Sequence, residues 1–317
     1  MTWRQRRARL AVGALLGALV AGVAAPAAAY VRYTLKGKDV KFAWKQTCVP
    51  ITSYPNDMLP MMTLDEINGA THGSVNAWSA AGESCTYLDI QLNESTEPTP
   101  LAAYDYHNIL VFRVDTWCKL NPDSSCDTSM PEAYDSLALA LTSVIASKTT
   151  GEIWDVDIEV NAHNFDWADL VAHPELATDS DHQDLQNALT HEVGHLIGLD
   201  HTCYMTGSNL PRPVDNNGDP LINCSNATPE VRETTMFPSA EPGDIEKRTL
   251  APDDLLALCE TYPKAADPMK CEPLRPPNQT GCDCAIAAAS DGAPATVLAL
   301  AALAVGARRR RRSRARG

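Results

Sequence analysis

Apolar residues along this chain recur at two periods, and the alternation between those periods predicts an α+β domain. "TLDEINGATHGSVNAWSAAG" carries Ile67, Ala70, Val75 and Trp78 at near-helical spacing, which predicts an amphipathic helix capped by Thr63. The segment from Tyr30 to Trp44, "YVRYTLKGKDVKFAW", alternates in part and reads as a first strand. "TYLDIQLN" and "NILVFRVD" follow as strands, and the second is apolar enough to be expected at the centre of a sheet. An uninterrupted apolar stretch in "SLALALTSVIAS" precedes a turn at Thr150 and Gly151. Ile153, Val156, Ile158 and Val160 then mark another strand, with Asp155 and Asp157 on or beside it.

The longest helical signal is "TDSDHQDLQNALTHEVGHLIGL". Ser180 and Gln183 have capping-box spacing, and Asp179 and Asp181 suit the positive end of a helix dipole. Gly198 supplies the left-handed residue that ends the helix. Thr202 to Ser239 reads as loop, and "APDDLLALCETYP" as a final helix capped near Asp253.

Both ends of the chain resemble processing signals. Arg4, Arg6, Arg7 and Arg9 precede an apolar run from Leu10 to about Ala25 and a small-residue site at Ala27 and Ala29, so residues 1–29 read as a secretory signal peptide. Residues 30–263 are then the single folded domain, and 264–280 a Pro-rich linker. Residues 281–317 hold "GCDC", an Ala/Leu-rich stretch from about Ala293 to Ala307, and a block of arginines. An apolar segment followed by arginines stalls in a membrane with the arginines on the cytoplasmic side. The arrangement resembles the tripartite C-terminal sorting tail of myxobacterial surface proteins, which combines a Gly-Cys motif, a hydrophobic helix and an arginine cluster. That resemblance implies an exported protein, anchored at the cell surface or released after tail processing. A permanent single-span anchor is the alternative.

Charge changes meaning once the ends are set aside. Without the four N-terminal arginines and the seven between Arg308 and Arg316, the net −14 of the chain becomes about −25, or −24 if Asp291 leaves with the tail. So acidic a body excludes nucleic acid as an expected partner, because phosphates attract basic surfaces. Ten cysteines in an exported chain read as disulfides. Eight precede the tail, and closing short loops gives the expected pairs Cys48–Cys85, Cys118–Cys126, Cys203–Cys224 and Cys259–Cys271. Cys282 and Cys284 belong to the tail motif.

The eleven residues "HEVGHLIGLDH" carry the candidate chemistry. His191 and His195 lie four apart on a helix, so their rings leave one face about 6 Å apart along the axis, a spacing suited to one metal ion. Glu192 is close enough to reach a metal-bound water without ligating the metal, and Gly198 lets the chain turn back so that His201 becomes the third ligand. A zinc held by three imidazoles keeps a fourth position for water and lowers the pKa of that water towards ~7. Glu192 as general base then predicts hydrolysis of a carbonyl substrate, with peptides the natural choice. Calcium is a weaker expectation. Asp215, Asn217 and Asp219 have the alternate spacing of a calcium loop, but its twelfth position is Asn226 where a glutamate is required, and turn chemistry alone explains the stretch. Asn93, Asn226 and Asn278 begin N-x-S/T triplets.

The H-E-x-x-H-x-x-G-x-x-H pattern resembles that of the metzincin clan of zinc endopeptidases, and of matrixins within it. "TTMFPSA" is similar to the clan's methionine turn and makes Met236 the support beneath the ligands, ahead of its rival Met205. "LAPDDLLALCETYP" resembles the matrixin C-terminal helix, with Asp253 and Asp254 at its start. "GEIWDVDIEVN" resembles the strand beside the cleft. The resemblance spans Tyr30 to Tyr262 and implies a twisted, mostly parallel five-stranded sheet, an active-site helix and a Met-turn subdomain. It implies a monomeric zinc endopeptidase, with one catalytic zinc and a protein or peptide substrate bound as an added strand at the sheet edge. The sequence departs from the pattern in Thr202 after the third histidine, in the disulfide-bearing insertion that follows it, and in the lack of an evident propeptide. Only His163 near Asp155 and Asp157 hints at a second zinc site, and none is expected. A catalytically silent zinc-binding surface or adhesion protein of the same fold, and zinc hydrolysis of a non-peptide bond, are the alternatives.

Overall fold

A computed structural model describes residues 30–35, 39–55, 59–127, 134–178, 181–205 and 212–275, with the backbone of 297–305. The expected signal peptide, the "GCDC" motif, the arginine block, Asp179, Ser180 and Asn278 lie outside the described residues.

The strands of the main sheet are mostly runs in which apolar residues are continuous or alternate. They are β1 (Cys48–Tyr54), β2 (Asp89–Glu94), β3 (Ile109–Arg113), β4 (Ala138–Ala146), β5 (Ile153–Asn161), β6 (Ser239–Ala240) and β7 (Val297–Val305). Their order across the sheet is β6-β7-β4-β5-β3-β1-β2. β1, β2, β3 and β5 run parallel, while β4 runs antiparallel to β5. The five strands of the body thus form the mostly parallel sheet expected, and β3, buried along its length, is central.

Three helices cover this sheet: α1 (Leu64–Gly82), α2 (Leu185–Leu196) and α3 (Pro252–Thr261). Thr63 caps α1 as expected, and Glu66 reaches back to the Thr63 amide at 2.7 Å to complete a capping box. Ile67 and Trp78 of α1 and Leu185, Leu189 and Val193 of α2 enter one core with Val49, Ile51, Leu110 and Ile158 from the sheet. The Trp78 indole donates to the Thr190 carbonyl at 2.9 Å, which locks α1 against the helix that carries the histidines.

Several expectations are corrected. Tyr30–Trp44 is not a strand of the main sheet: among its described residues Val31 and Arg32 pair antiparallel with Leu199 and Asp200, and Thr34–Lys41 and Ala43–Glu152 form isolated bridges. The first sheet strand is "CVPITSY", whose apolar positions are interrupted by a proline and a serine. The apolar stretch before Thr150 is β4. Gln183 does not cap α2, since His182–Asp184 pairs parallel with Asp166–Ala168 and Asp184 is the cap, accepting from the Asn187 amide at 2.8 Å. Arg248 clamps both Asp184 carboxylate oxygens, at 2.8 and 2.5 Å, so tertiary pairing sets where α2 starts. The cap of α3 is Ala251, and Asp254, not Asp253, reaches back to its amide at 3.1 Å.

Two disulfides match the expected pairs, Cys118–Cys126 and Cys203–Cys224. The other two are Cys48–Cys271 and Cys85–Cys259, which replace the short loops Cys48–Cys85 and Cys259–Cys271. Both staple the C-terminal part to the first half of the domain, because α3 packs beside α1 and brings Cys259 over Cys85. In the tail, the segment 297–305 is a strand and not the hydrophobic helix that the sorting-tail resemblance implies. Among the described residues no helix is long and apolar enough to cross a membrane.

Candidate metal centre

The histidines converge because α2 stops where it does. Gly198 adopts φ +89°, and a Cβ there would meet the Phe42 carbonyl oxygen at 3.0 Å, so the turn needs a glycine. The helix's last carbonyls are satisfied from outside: the Trp44 indole donates to Leu196 O at 2.8 Å and the Tyr262 hydroxyl to Ile197 O at 2.7 Å. The chain then doubles back as Leu199–Asp200, held by Val31 and Arg32, and delivers His201 to the helix face.

The three Nε2 atoms lie 3.0 Å (His191–His195), 3.2 Å (His191–His201) and 3.2 Å (His195–His201) apart. A tetrahedral ion with bonds of ~2.0–2.1 Å holds its donors about 3.3 Å apart, so the triangle fits one ion. His191 Nδ1–H donates to the Thr235 carbonyl at 2.6 Å and His195 Nδ1–H to the Leu199 carbonyl at 2.8 Å. With the ring proton on Nδ1, each Nε2 turns a lone pair towards the other lone pairs. Such a cluster is repulsive without a cation and well suited to one. Among the described residues this is the group of His, Cys, Asp or Glu that can hold a metal ion. Burial depresses all three imidazoles, His195 to about 3 and His191 and His201 well below the usual range, which keeps them neutral.

Glu192 is fully buried beside the triangle, and the Thr142 hydroxyl of β4 donates to its Oε2. Thr142 had no signal in the sequence beyond its place in an apolar strand. Met236 is buried under α2, with its sulfur in the space above Gly194. The Met236 carbonyl accepts from the Thr202 amide at 3.2 Å, which ties the turn to the residue after the third histidine. Met205, half exposed, takes no part in this packing.

Two further residues escape the sequence. The buried Asp254 carboxylate accepts from the Thr235 amide at 2.8 Å and so holds the turn that carries the His191 hydrogen bond. Its acidic neighbour Asp253 made this pair visible as a helix start, but not as an anchor. Lys247 is buried, and its Nζ donates to the carbonyls of Phe237 and, at 3.0 Å, of Ser239. Burial lowers its ammonium to about 7, opposed by the Glu192 charge.

Among the described residues, Asp215, Asn217 and Asp219 do not form a group that could hold a metal ion. Asp215 Oδ1 accepts from the amides of Asn217 and Asp219 at 2.8 and 2.9 Å, and Gly218 has φ +90°, so these residues form a self-bonded turn. His163 shares a hydrogen bond with the Val114 carbonyl at 3.1 Å and does not join Asp155 or Asp157.

Compared with protein-family models and with curated proteins, the chain matches none.

Proposed function

We propose that the protein is an exported zinc endopeptidase of the metzincin type, in which His191, His195 and His201 hold one zinc ion and Glu192 is the general base. The observation that carries this reading is the convergence of three neutral Nε2 lone pairs beside a buried glutamate. Zinc alone needs the imidazoles. Hydrolysis also needs a base, and Glu192 is the group that a metal-binding protein without chemistry would not require. The five-stranded body sheet, the histidine helix beneath it and Met236 under the ligands support the same reading.

When bound, zinc supplies Lewis acidity towards a water and a substrate carbonyl. The three histidines stay neutral, and backbone carbonyls hold the ring protons of His191 and His195 on Nδ1, which keeps their Nε2 atoms available. Glu192 takes the proton of the attacking water and returns it to the leaving amine. Thr142 fixes the carboxylate between the helix and the edge of the body sheet. The side of β4 away from β5, which β7 pairs with here, is the edge of the body sheet to which an extended peptide adds by main-chain hydrogen bonds.

The acidic body suits an exported monomer acting on protein or peptide. The test is cleavage of an unfolded protein by residues 30–281 with disulfides formed, against Glu192→Gln. Cleavage by the wild type and loss in a variant that still holds zinc supports the reading. Zinc in both and cleavage in neither favours the catalytically silent surface protein.

A further inference from the structure

Two strands beside the metal centre are the walls of the space that β7 fills. One is β4, the antiparallel edge of the body sheet, and its residue Thr142 donates a hydrogen bond to Glu192. The other is β6, which follows Met236, Phe237 and Pro238 directly and whose Ser239 carbonyl is held by Lys247. Between these walls lies β7. It pairs antiparallel with β4 from Val297↔Ala146 to Ala304↔Ala138, and parallel with β6 through Ser239↔Ala304 and Ala240↔Val305. Ala301 stands opposite Thr142 and therefore level with the residue that holds Glu192.

We propose that this chain's own segment Val297–Val305 occupies the groove in which a substrate peptide lies, and so keeps the enzyme latent in cis until the tail is removed. The proposal rests on the endopeptidase reading above. Three observations argue for it. The occupant is main-chain paired with β4 along its length, as an added substrate strand would be, and with β6 through its last two residues. Its sequence, "VLALAALAV", has no charge, proline or glycine that would interrupt main-chain pairing with a strand edge. Residues 276–296 link it to the body, and at roughly 3.3–3.6 Å per residue that length spans on the order of 70 Å, enough to cross a domain of this size.

The test uses the full chain from residue 30, disulfides formed and zinc loaded. Ser143 and Leu300 stand opposite each other in the register, so Ser143→Cys with Leu300→Cys should close a disulfide within one chain, mapped by peptide mass spectrometry. Ser143→Cys with Leu303→Cys, three positions out of register, should not. In parallel, Ala301→Pro with Ala302→Pro removes two consecutive amides, one of which must face β4. A tethered strand acts at roughly millimolar effective concentration, so against micromolar substrate this variant, or a chain cut at an inserted site within 276–296, should cleave on the order of tenfold faster or more. A full chain as active as the cut one, with no in-register cross-link, overturns the proposal. A cross-link found only between two chains also overturns it and makes a second copy the occupant. An in-register cross-link with no cleavage by any zinc-loaded form upholds the occupancy and sinks the endopeptidase reading instead.

Discussion

The Met236 sulfur fills the space that a β-carbon on Gly194 would take: such a carbon would lie 2.2 Å from the sulfur and 2.9 Å from the Trp78 ring. The glycine inside the histidine motif therefore exists for packing, since the helix must pass over a methionine whose turn carries the Thr235 carbonyl to His191. Gly194→Ala should destabilise the fold by about 1–3 kcal/mol through overpacking. By displacing a support of the ligands it should also weaken metal affinity by roughly 10–100-fold. Pairing it with Met236→Ala should recover part of both losses, measured as a coupling in a double-mutant cycle read by unfolding and metal titration. Independent, additive effects would show that the two residues do not share this space.

Thr142→Val keeps the shape of β4 and removes the hydroxyl that orients Glu192. A hydrogen bond to a charged group contributes about 1.5–3 kcal/mol, so turnover should fall roughly 10–100-fold. Zinc content should be unchanged, and the pair of readouts separates a positioning role from general damage to the strand.

The long-range disulfides should matter more than the short ones. Cys85–Cys259 closes 174 residues of sequence and Cys118–Cys126 only 8. Replacing both cysteines of the first pair by serine should cost about 2–5 kcal/mol in denaturant unfolding, and the second pair less. Equal costs would contradict a stapling role for the contact between α1 and α3.

Asp155 and Asp157 give the fold a pH dependence. Burial raises Asp155 to about 7, helped by the charge of Asp105, and raises Asp157 to about 9, helped by that of Asp155. Both carboxyls keep their protons in the folded chain to a higher pH than in the unfolded one. The stability they contribute is complete below about pH 4 and is lost as pH rises through about 7 and then about 9. Asp157→Asn keeps an acceptor for the Ala103 amide, now 2.8 Å from Asp157 Oδ2, and should flatten the fall in Tm between pH 7 and 9. Tm curves of unchanged slope would remove Asp157 from this account.

The sequence made the centre of the site legible because its chemistry is local. His191, Glu192 and His195 share one helical turn, and Gly198 and His201 follow within six residues of His195. The elements with strong periods, α1, β3 and β5, were equally clear. What stayed hidden depends on distant pairing. Thr142 meets Glu192 across 50 positions, and Asp254 reaches Thr235 across 19. The start of α2 was misplaced because Gln183 and Asp184 are drawn into a strand pair with Trp167 and Ala168, a tertiary contact that overrides a good local cap. The two long-range disulfides were missed for the same reason, since loop length says nothing about which helices touch, whereas the short loops Cys118–Cys126 and Cys203–Cys224 were read correctly. The tail strand was hidden because an apolar run before arginines satisfies a membrane pattern and a β-edge equally well.

X-ray absorption at the zinc edge, on protein purified without chelator and alongside His201→Ala, tests the metal centre most directly. The account predicts one zinc per chain with three imidazole nitrogens at about 2.0–2.1 Å, and a loss of one nitrogen scatterer in the variant. A chain that takes up no zinc, or a zinc whose ligands are unchanged by His201→Ala, would contradict it.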